Sequence, residues 1–520
     1  MPRHVSSSSS TTTICHHKAL TFDPSPHAAE VGYKFRTLQS RIKASTLPST
    51  TIAKTKKKSP HIRQDPRPSS FLAPLVLPGD ELAYDPKCPG QSVASWMKLD
   101  SRNPTTKDKG VIYVAAPPNV DDEVAFIEGW MHPTLTARGK RSSGKIPRSK
   151  TAKKNSIIDN ANDDDSTRNL ALNDAESPIQ RPAMSDILDY LAAFYHGIPV
   201  KPLPTTLRFT SWEDSAPEYS PKKDKRSRNK TTGDTQKQYI ALTTDTESVR
   251  ISCRGCPDKT FPGQINLNDL LDAAESMLPS DAYALLLVVD QDLFEDDDDD
   301  FACGRAYGGS RISVVSTARY NPTLDGKLAM DRSHSWPASH CEEYVTDLCD
   351  STEEDITPMT KRRRKDGGQI EASISVAVGS PMHLAIATHA SLPPLPAVGD
   401  TSKYPSSACT ALSELWLGRV CRTASHELGH CFGLEHCVYY ACVMQGTASM
   451  LEDERQPLYL CPVDLRKILY VTGKDILEYY ETLLKFCTKH PKAQIFASYG
   501  EWINGRIREL SGDSGNKISL

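Results

Sequence analysis

The sequence predicts an α+β fold: a twisted mixed sheet with helices packed on it, one of which carries a cluster of histidines. Three observations lead there. Short strand-like runs alternate with helical stripes between about 110 and 320. One long helical pattern, "ACTALSELWLGRVCRTASHELGHCFG" (408–433), stops at a glycine. That pattern runs into "HELGHCFGLEHC" (426–437), where three histidines and two cysteines fall within twelve residues.

Composition sets the domain plan. At roughly 150 residues per domain, a chain of 520 residues would hold three or four domains. Only 38% of the residues are apolar, and there are 37 prolines. Several tracts hold almost no large hydrophobes and cannot offset the entropy of ordering them. The expected plan is a disordered segment over 1–69 and one large domain over 70–510. Low-complexity insertions fall near 133–181 and 352–370, and a tail covers 511–520. A net charge of −3 makes no case for a nucleic-acid or membrane partner. No run of about 18 apolar residues is present, and the N-terminus lacks the apolar core of a secretory signal. A cytoplasmic or nuclear location is therefore expected. "KRRRK" (361–365) reads as a nuclear import signal or as a solvated linker. Without a secretory signal, the 14 cysteines are not expected to form a disulfide framework.

The elements follow in order. An apolar segment opens at 70–86. "GVIYVAAPPNV" (110–120) has strand composition, and "DDEVAFIEGWM" reads as a short helix opening on acids. Over 184–197, Ile187, Leu188, Leu191, Phe194 and Tyr195 form a helical stripe with Ser185 as cap. "QYIALTTD" (238–245) is a strand, and 266–278 is a helix. "YALLLVVDQDLF" (283–294) is apolar enough to be a central strand buried on both faces. Two strand-like pieces flank Gly308 and Gly309 within 301–320, as in a hairpin or an irregular edge strand. The acidic run Glu295–Asp300 reads as a solvated loop. Cys253 and Cys256 read as incidental loop cysteines, and His383 and His389 as core or surface positions. Beyond Pro457 the helical pattern resumes in two pieces broken near Gly473.

The chemistry is concentrated at 426–436. His426 and His430 are i and i+4, so one helix face presents both imidazoles to a single ion. Glu427 projects about 100° away and can reach the open side of that ion. Gly433 ends the helix and lets the chain turn back, which can bring His436 in as a third ligand. Three neutral nitrogens leave a fourth tetrahedral position for water. Zinc would make that water acidic, and a nearby carboxylate could take its proton. The competing readings are histidines lining a surface helix and a metal site that is structural or catalytically dead. Glu427 argues against the latter, because a structural site has no need of a base.

The extended pattern H-E-x-x-H-x-x-G-x-x-H resembles the metzincin metalloproteases. More closely, the chain resembles the archaemetzincins, through His436-Cys437, Cys442-Val443-Met444 and Cys461-Pro462-Val463-Asp464. In looser form, "YVAAPP" is similar to that family's opening strand and 301–320 to its edge-strand region. The resemblance implies a metzincin-like zincin fold with an active-site helix and a smaller C-terminal subdomain. It implies a catalytic Zn2+ on His426, His430 and His436, Glu427 as general base, and Met444 as an apolar floor beneath the metal. It also implies a second, structural Zn2+ on Cys437, Cys442 and Cys461. The family's fourth ligand is a cysteine at the position of Asp464. A carboxylate oxygen can bind zinc, so Asp464 is expected to complete the set, with Cys431 and Cys487 as conceivable substitutes. The ligand sets share no residue, so loss of Asp464 is expected to spare the histidine site. The implied partner is a peptide or protein substrate, with endopeptidase and aminopeptidase both open. The rival from another class is a zinc-stabilised binding protein that has lost turnover.

Overall fold

Strand Ala282–Val289, AYALLLVV, is buried at every position, and the two main cores lie on its two faces. The computed structural model describes residues 17, 19–21, 23–48, 70–99, 102–134, 178–212, 238–350, 377–396 and 403–512. The strands, in chain order, begin with β1 (Val111–Ala115), β2 (Asn119–Val120), β3 (Val200–Pro202) and β4 (Arg208–Ser211). β5 (Gln238–Thr243), β6 (Ser248–Gly255), β7 (Gly263–Asn266) and β8 (Ala282–Val289) follow. β9 (Leu293–Phe294), β10 (Gly304–Tyr307) and β11 (Ile312–Ser316) complete the set.

The first sheet has five strands in the order β10-β11-β8-β1-β3. Three of its four pairings are parallel, and at one edge β10 runs antiparallel to β11. The expected hairpin about Gly308 and Gly309 is therefore present, with β10 as the edge strand. The period of two sorts β8 between two cores. Ala284, Leu286 and Val288 join Ile112 and Val114 in the core beneath the long helix Ser406–Cys431. Leu285, Leu287 and Val289 join Tyr113 and Ala115 in a second core, under the helix Leu267–Ser276.

The fold class is α+β as expected, but one sheet does not account for it. A second, six-stranded sheet runs β2-β4-β5-β6-β7-β9 and is antiparallel at its centre. Most of its strands are two to four residues long, and β6 is exposed or half-buried at most positions. Such strands leave no apolar run to be read. Cys253 lies on β6 and is buried, so it is not a loop residue. Cys256 packs beside buried Arg319, which pairs with Asp292 and Asp258. The helix Met184–Phe194 starts from Ala183 with no side-chain cap, so Ser185 does not cap it.

The disorder expected over 1–69 does not hold for residues 23–48. Ser25 caps Pro26–Glu30 and Thr37 caps Leu38–Ala44. The Tyr33 hydroxyl donates to the Val438 carbonyl at 3.2 Å, and the Arg41 guanidinium sits 4.8 Å from the Tyr440 ring. This segment is ordered by docking onto a region some 400 residues away in sequence, which local composition cannot reveal. Residues 1–16 and 49–69, most of both insertions (135–177 and 351–376, with "KRRRK") and 513–520 lie outside the described residues.

The helix Ser406–Cys431 is buried on nearly all sides, including Leu412, Leu415, Leu417, Val420, Ala424 and Leu428. Two arginines are buried with it. Arg419 is held by Asp325 at 2.8 and 3.0 Å and by Glu454 at 2.9 Å. Arg422 pairs with Asp453 at 2.5 Å. After this helix come Pro462–Thr472 and Ile476–Cys487, broken at Gly473 as expected, and then Gln494–Ser511. No helix among the described residues is long and apolar enough to cross a membrane, and no disulfide links the described cysteines.

Breaking a buried ion cluster from one side leaves uncompensated charge, at a cost of about 3–5 kcal/mol. Arg419→Met should therefore lower the unfolding free energy in urea by about that much. A loss below about 1 kcal/mol would show that Asp325 and Glu454 do not depend on it.

Candidate metal centre

The site begins with how the long helix ends. Gly433 takes φ 74°. The Leu434 N–H bonds to the Gly429 carbonyl at 3.2 Å, and the Gly433 N–H to that of His430 at 2.8 Å. This is the Schellman pattern, which needs a left-handed residue and so favours glycine. The carbonyls beyond it are met by side chains from distant segments. Trp96 Nε1 donates to Phe432 O at 2.9 Å, Tyr283 Oη to Cys431 O at 3.3 Å, and Gln91 Nε2 to Gly433 O at 2.9 Å. A helix end that buries its last carbonyls requires such partners.

The turn brings three imidazoles together. The ring centroids of His426, His430 and His436 are 4.8, 5.3 and 5.2 Å apart, and their candidate ligand atoms lie within 4.8 Å of one another. Each Nδ1 is engaged on the outside. His426 Nδ1 is 2.7 Å from Val443 O, His430 Nδ1 is 2.7 Å from Leu434 O, and His436 Nδ1 is 2.7 Å from Glu81 Oε1. A carbonyl can only accept, so in the first two rings Nδ1 carries the proton and Nε2 presents a lone pair. Those two Nε2 atoms approach to 3.0 Å. Two lone pairs at that distance repel unless a cation lies between them. Burial and the neighbouring imidazoles hold His426 well below the usual histidine range, and burial with the His436 charge brings His430 down to about 4. Both are thus neutral, as ligands must be. Burial opposes the proton on His436, but the Glu81 bond and charge outweigh it and raise that ring.

Glu427 faces the same space. It is 8% exposed, and burial pushes its pKa up to about 8 against the pull of His436 and Arg305. The cleft it borders has a volume of about 850 Å³ and is lined by all three histidines and, from β10, by Gly304, Arg305 and Ala306. Met444 is fully buried beneath the helix. A Cβ on Gly429, between the two helical histidines, would come within 2.5 Å of Met444 Sδ, so the methionine fits only against a glycine.

A second cluster adjoins the first. Cys437, Cys442, Cys461 and Asp464 are buried, with donor atoms within 4.8 Å of one another. Cys437 Sγ is 3.6 Å from Cys461 Sγ, and Asp464 Oδ2 lies 3.3 Å from Cys461 Sγ and 3.6 Å from Cys442 Sγ. Burial raises the thiols of Cys442 and Cys461. Cys437 goes the other way: against burial, bonds from both neighbouring thiols and from backbone N–H groups hold it well below its usual value. Burial, with the Cys437 charge beside it, pushes Asp464 up to about 7. Four acidic donors converging in a dry pocket suit a thiophilic divalent ion such as zinc. Of the two conceivable substitutes, neither Cys431 nor Cys487 is in the cluster.

The pattern of Peptidase family M54 matches residues 407–468, which hold every donor of both clusters. Archaemetzincin-2 of Macaca fascicularis is 44% identical over 75 residues, 14% of this chain and 21% of that protein. Archaemetzincin-2 of Rattus norvegicus is 25% identical over 244 residues, 46% of this chain and 52% of that protein. Over the stretch that carries both clusters, the chain is similar to the archaemetzincins. It spans between about a fifth and a half of the length of these curated archaemetzincins. Among solved structures, an archaemetzincin from Methanopyrus kandleri is similar at 19% identity, covering 41% of this chain and 67% of that one with a TM-score of 0.21. A superposition that loose adds nothing to the description of the fold.

The structure brings His426, His430 and His436 into one group and Cys437, Cys442, Cys461 and Asp464 into another, with Glu427 on the same cleft as the histidines. Glu81 and Lys467 were not foreseen. Glu81 precedes His436 by 355 positions, in the short helix Glu81–Tyr84, and no local pattern marks it. Lys467 follows Asp464 at i+3, a spacing that could have suggested the pair they form at 2.7 Å. Partners that orient a ligand imidazole typically matter about 10- to 100-fold in metal affinity. Glu81→Ala should weaken Zn2+ binding by the histidines by about that factor in competition with a chelating dye. Unchanged affinity would make the Glu81–His436 contact incidental.

Proposed function

We propose that the chain is a zinc-dependent metallopeptidase, with the three histidines as the catalytic metal site, Glu427 as general base, and the cysteine–aspartate cluster as a second, structural zinc site. The observation that carries this reading is the pairing of two proton-free Nε2 atoms at 3.0 Å with a buried carboxylate on the same cleft. A metzincin-like arrangement follows: an upper part built on the first sheet, the active-site helix below it, and a smaller part beyond His436.

When bound, zinc supplies Lewis acidity toward a carbonyl oxygen and lowers the pKa of a water molecule. The chain's own residues do the rest. Val443, Leu434 and Glu81 keep the imidazoles turned inward. Glu427, in a dry wall and with raised proton affinity, takes a proton from the attacking water and passes it to the leaving amine. β10 has no neighbour on its outer side among the described strands, and it lines the cleft. An extended peptide can add to that edge by main-chain hydrogen bonds, which places its carbonyl above the histidines.

Glu427→Ala separates this reading from a zinc-stabilised binding protein. A general base contributes typically about 10²–10⁴-fold, so cleavage of a diverse peptide library should fall by at least 10²-fold while zinc content and fold persist. A wild type without cleavage under any condition, or a variant that cleaves equally well, would defeat it. Separately, the zinc-loaded chain should hold close to two ions. Asp464→Ala should lose one, and Asp464→Cys should keep it, since a thiolate completes the softer set. A wild type with a single, histidine-bound zinc would reduce the cysteines to ordinary buried thiols.

A further inference from the structure

Asp464 offers the cysteine cluster only one of its oxygens. Oδ2 faces the sulfurs, and Oδ1 is 2.7 Å from Lys467 Nζ, one turn further along the helix Pro462–Thr472. Lys467 is 1% exposed, and Asp464 is its one carboxylate partner among the described residues. Its other partner is neutral: Gln91 Oε1, also at 2.7 Å. The same Gln91 amide reaches the other cluster's turn. Its Nε2 donates to Gly433 O at 2.9 Å, and its Oε1 accepts from the Glu435 N–H at 3.3 Å. Gly433 and Glu435 bound the turn that returns His436. A run of contacts no longer than 3.3 Å thus joins a donor of one cluster to the turn that positions a donor of the other. Gln91 is itself 6% exposed, so water does not readily substitute along this path.

We propose that Lys467 and Gln91 are positioning residues that couple the two clusters, so that filling the cysteine–aspartate site tightens metal binding by the three histidines. The proposal rests on the reading that zinc occupies both. With a cation among the sulfurs, Asp464 is anchored, Lys467 is held by Oδ1, and the Gln91 amide is fixed with Nε2 on Gly433. Without it, Oδ2 has no cation to fix it, so Asp464 holds Lys467 less firmly and the Gln91 amide loses the anchored partner that set its orientation. This departs from the expectation that loss of Asp464 spares the histidine site, which considered the ligands alone. Coupling of binding free energies is reciprocal, so emptying the histidine site must loosen the cysteine site by the same factor.

The test uses the full zinc-loaded chain and follows zinc release to a chelating dye. Cobalt substitution identifies the thiolate-bound ion by its sulfur charge-transfer band. Gln91→Leu removes both arms of the amide. Gln91→Glu keeps the acceptor for Lys467 but removes the donor to Gly433, which guards against a general packing effect. Both should leave the thiolate band in place and speed release from the histidines by about tenfold or more. Asp464→Ala should speed histidine release in the wild type but add nothing in the Gln91→Leu background. Unchanged histidine release in both Gln91 variants would overturn the coupling. So would an Asp464→Ala effect of equal size with and without Gln91. In either case two bound zincs would leave the parent reading intact. A wild type without histidine-bound zinc would overturn both.

Discussion

The helix Ser406–Cys431 must be buried along its length and yet end within one residue, because His426, Glu427 and His430 occupy its last two turns while His436 lies beyond its end. An ordinary frayed terminus would leave His436 to find its place by chance. Here the left-handed Gly433 fixes the direction of exit, and two crossed main-chain bonds fix its geometry. The remaining carbonyls cannot reach water, so they are met by Gln91 and Trp96 from one segment and by Tyr283 from β8. The same contacts hold the region 91–96 against the helix end and against the helix Pro462–Thr472, where Tyr470 meets the Trp96 ring edge-on at 6.0 Å. Termination of one helix thus organises both clusters.

A helix buried this completely would be expected to be apolar all round, and it is not. Arg419 and Arg422 lie in its interior, and their carboxylates come from the loop at Asp325 and from the short helix Met450–Glu454. A buried ion cluster is weak evidence for stability, since desolvation offsets most of the attraction. Its geometric demand is strict, however. Asp453 and Glu454 must stay where the guanidinium groups are, and this pins Met450–Glu454 against one wall of the cleft. Glu452 of the same helix accepts from the backbone of Glu81 at 2.9 Å, and Glu81 holds His436. The rigidity of the third histidine therefore traces back to a polar core as well as to the turn at Gly433.

What could be read in the sequence was what repeats at short range. The i, i+4 histidines and Gly433 two residues past the helix act through neighbours on one stretch of chain, and the structure groups the imidazoles at a left-handed turn, whereas Cys442-Val443-Met444 was legible only as a family resemblance. β8 was legible because a strand covered on both faces must be apolar throughout. The rest was hidden for three physical reasons. Glu81 and Gln91 act on residues more than 340 positions away, and a single polar side chain leaves no periodic trace. The second sheet is built from short strands with one wetter face, whose pattern is weak. Residues 23–48 carry too few apolar side chains to fold by themselves, and are ordered because Ala28 and Tyr33 find Val76, Leu82 and Val438.

Asp464 shows how far the chemistry of one side chain can depend on a neighbour that no ligand pattern includes. A thiolate is a single donor atom, whereas a carboxylate has two oxygens that can serve different partners. Here one oxygen faces Cys442 and Cys461, and the other faces Lys467. An ammonium buried to 1% exposure would be untenable without a fixed negative partner. Conversely, three sulfurs and a carboxylate would crowd negative charge into a dry pocket without an adjacent cation. Each group makes the other's burial tolerable, so the aspartate and the lysine are better regarded as one unit. A cysteine at this position could face the sulfurs, but it could not at the same time hold Lys467 at 2.7 Å in line with Gln91.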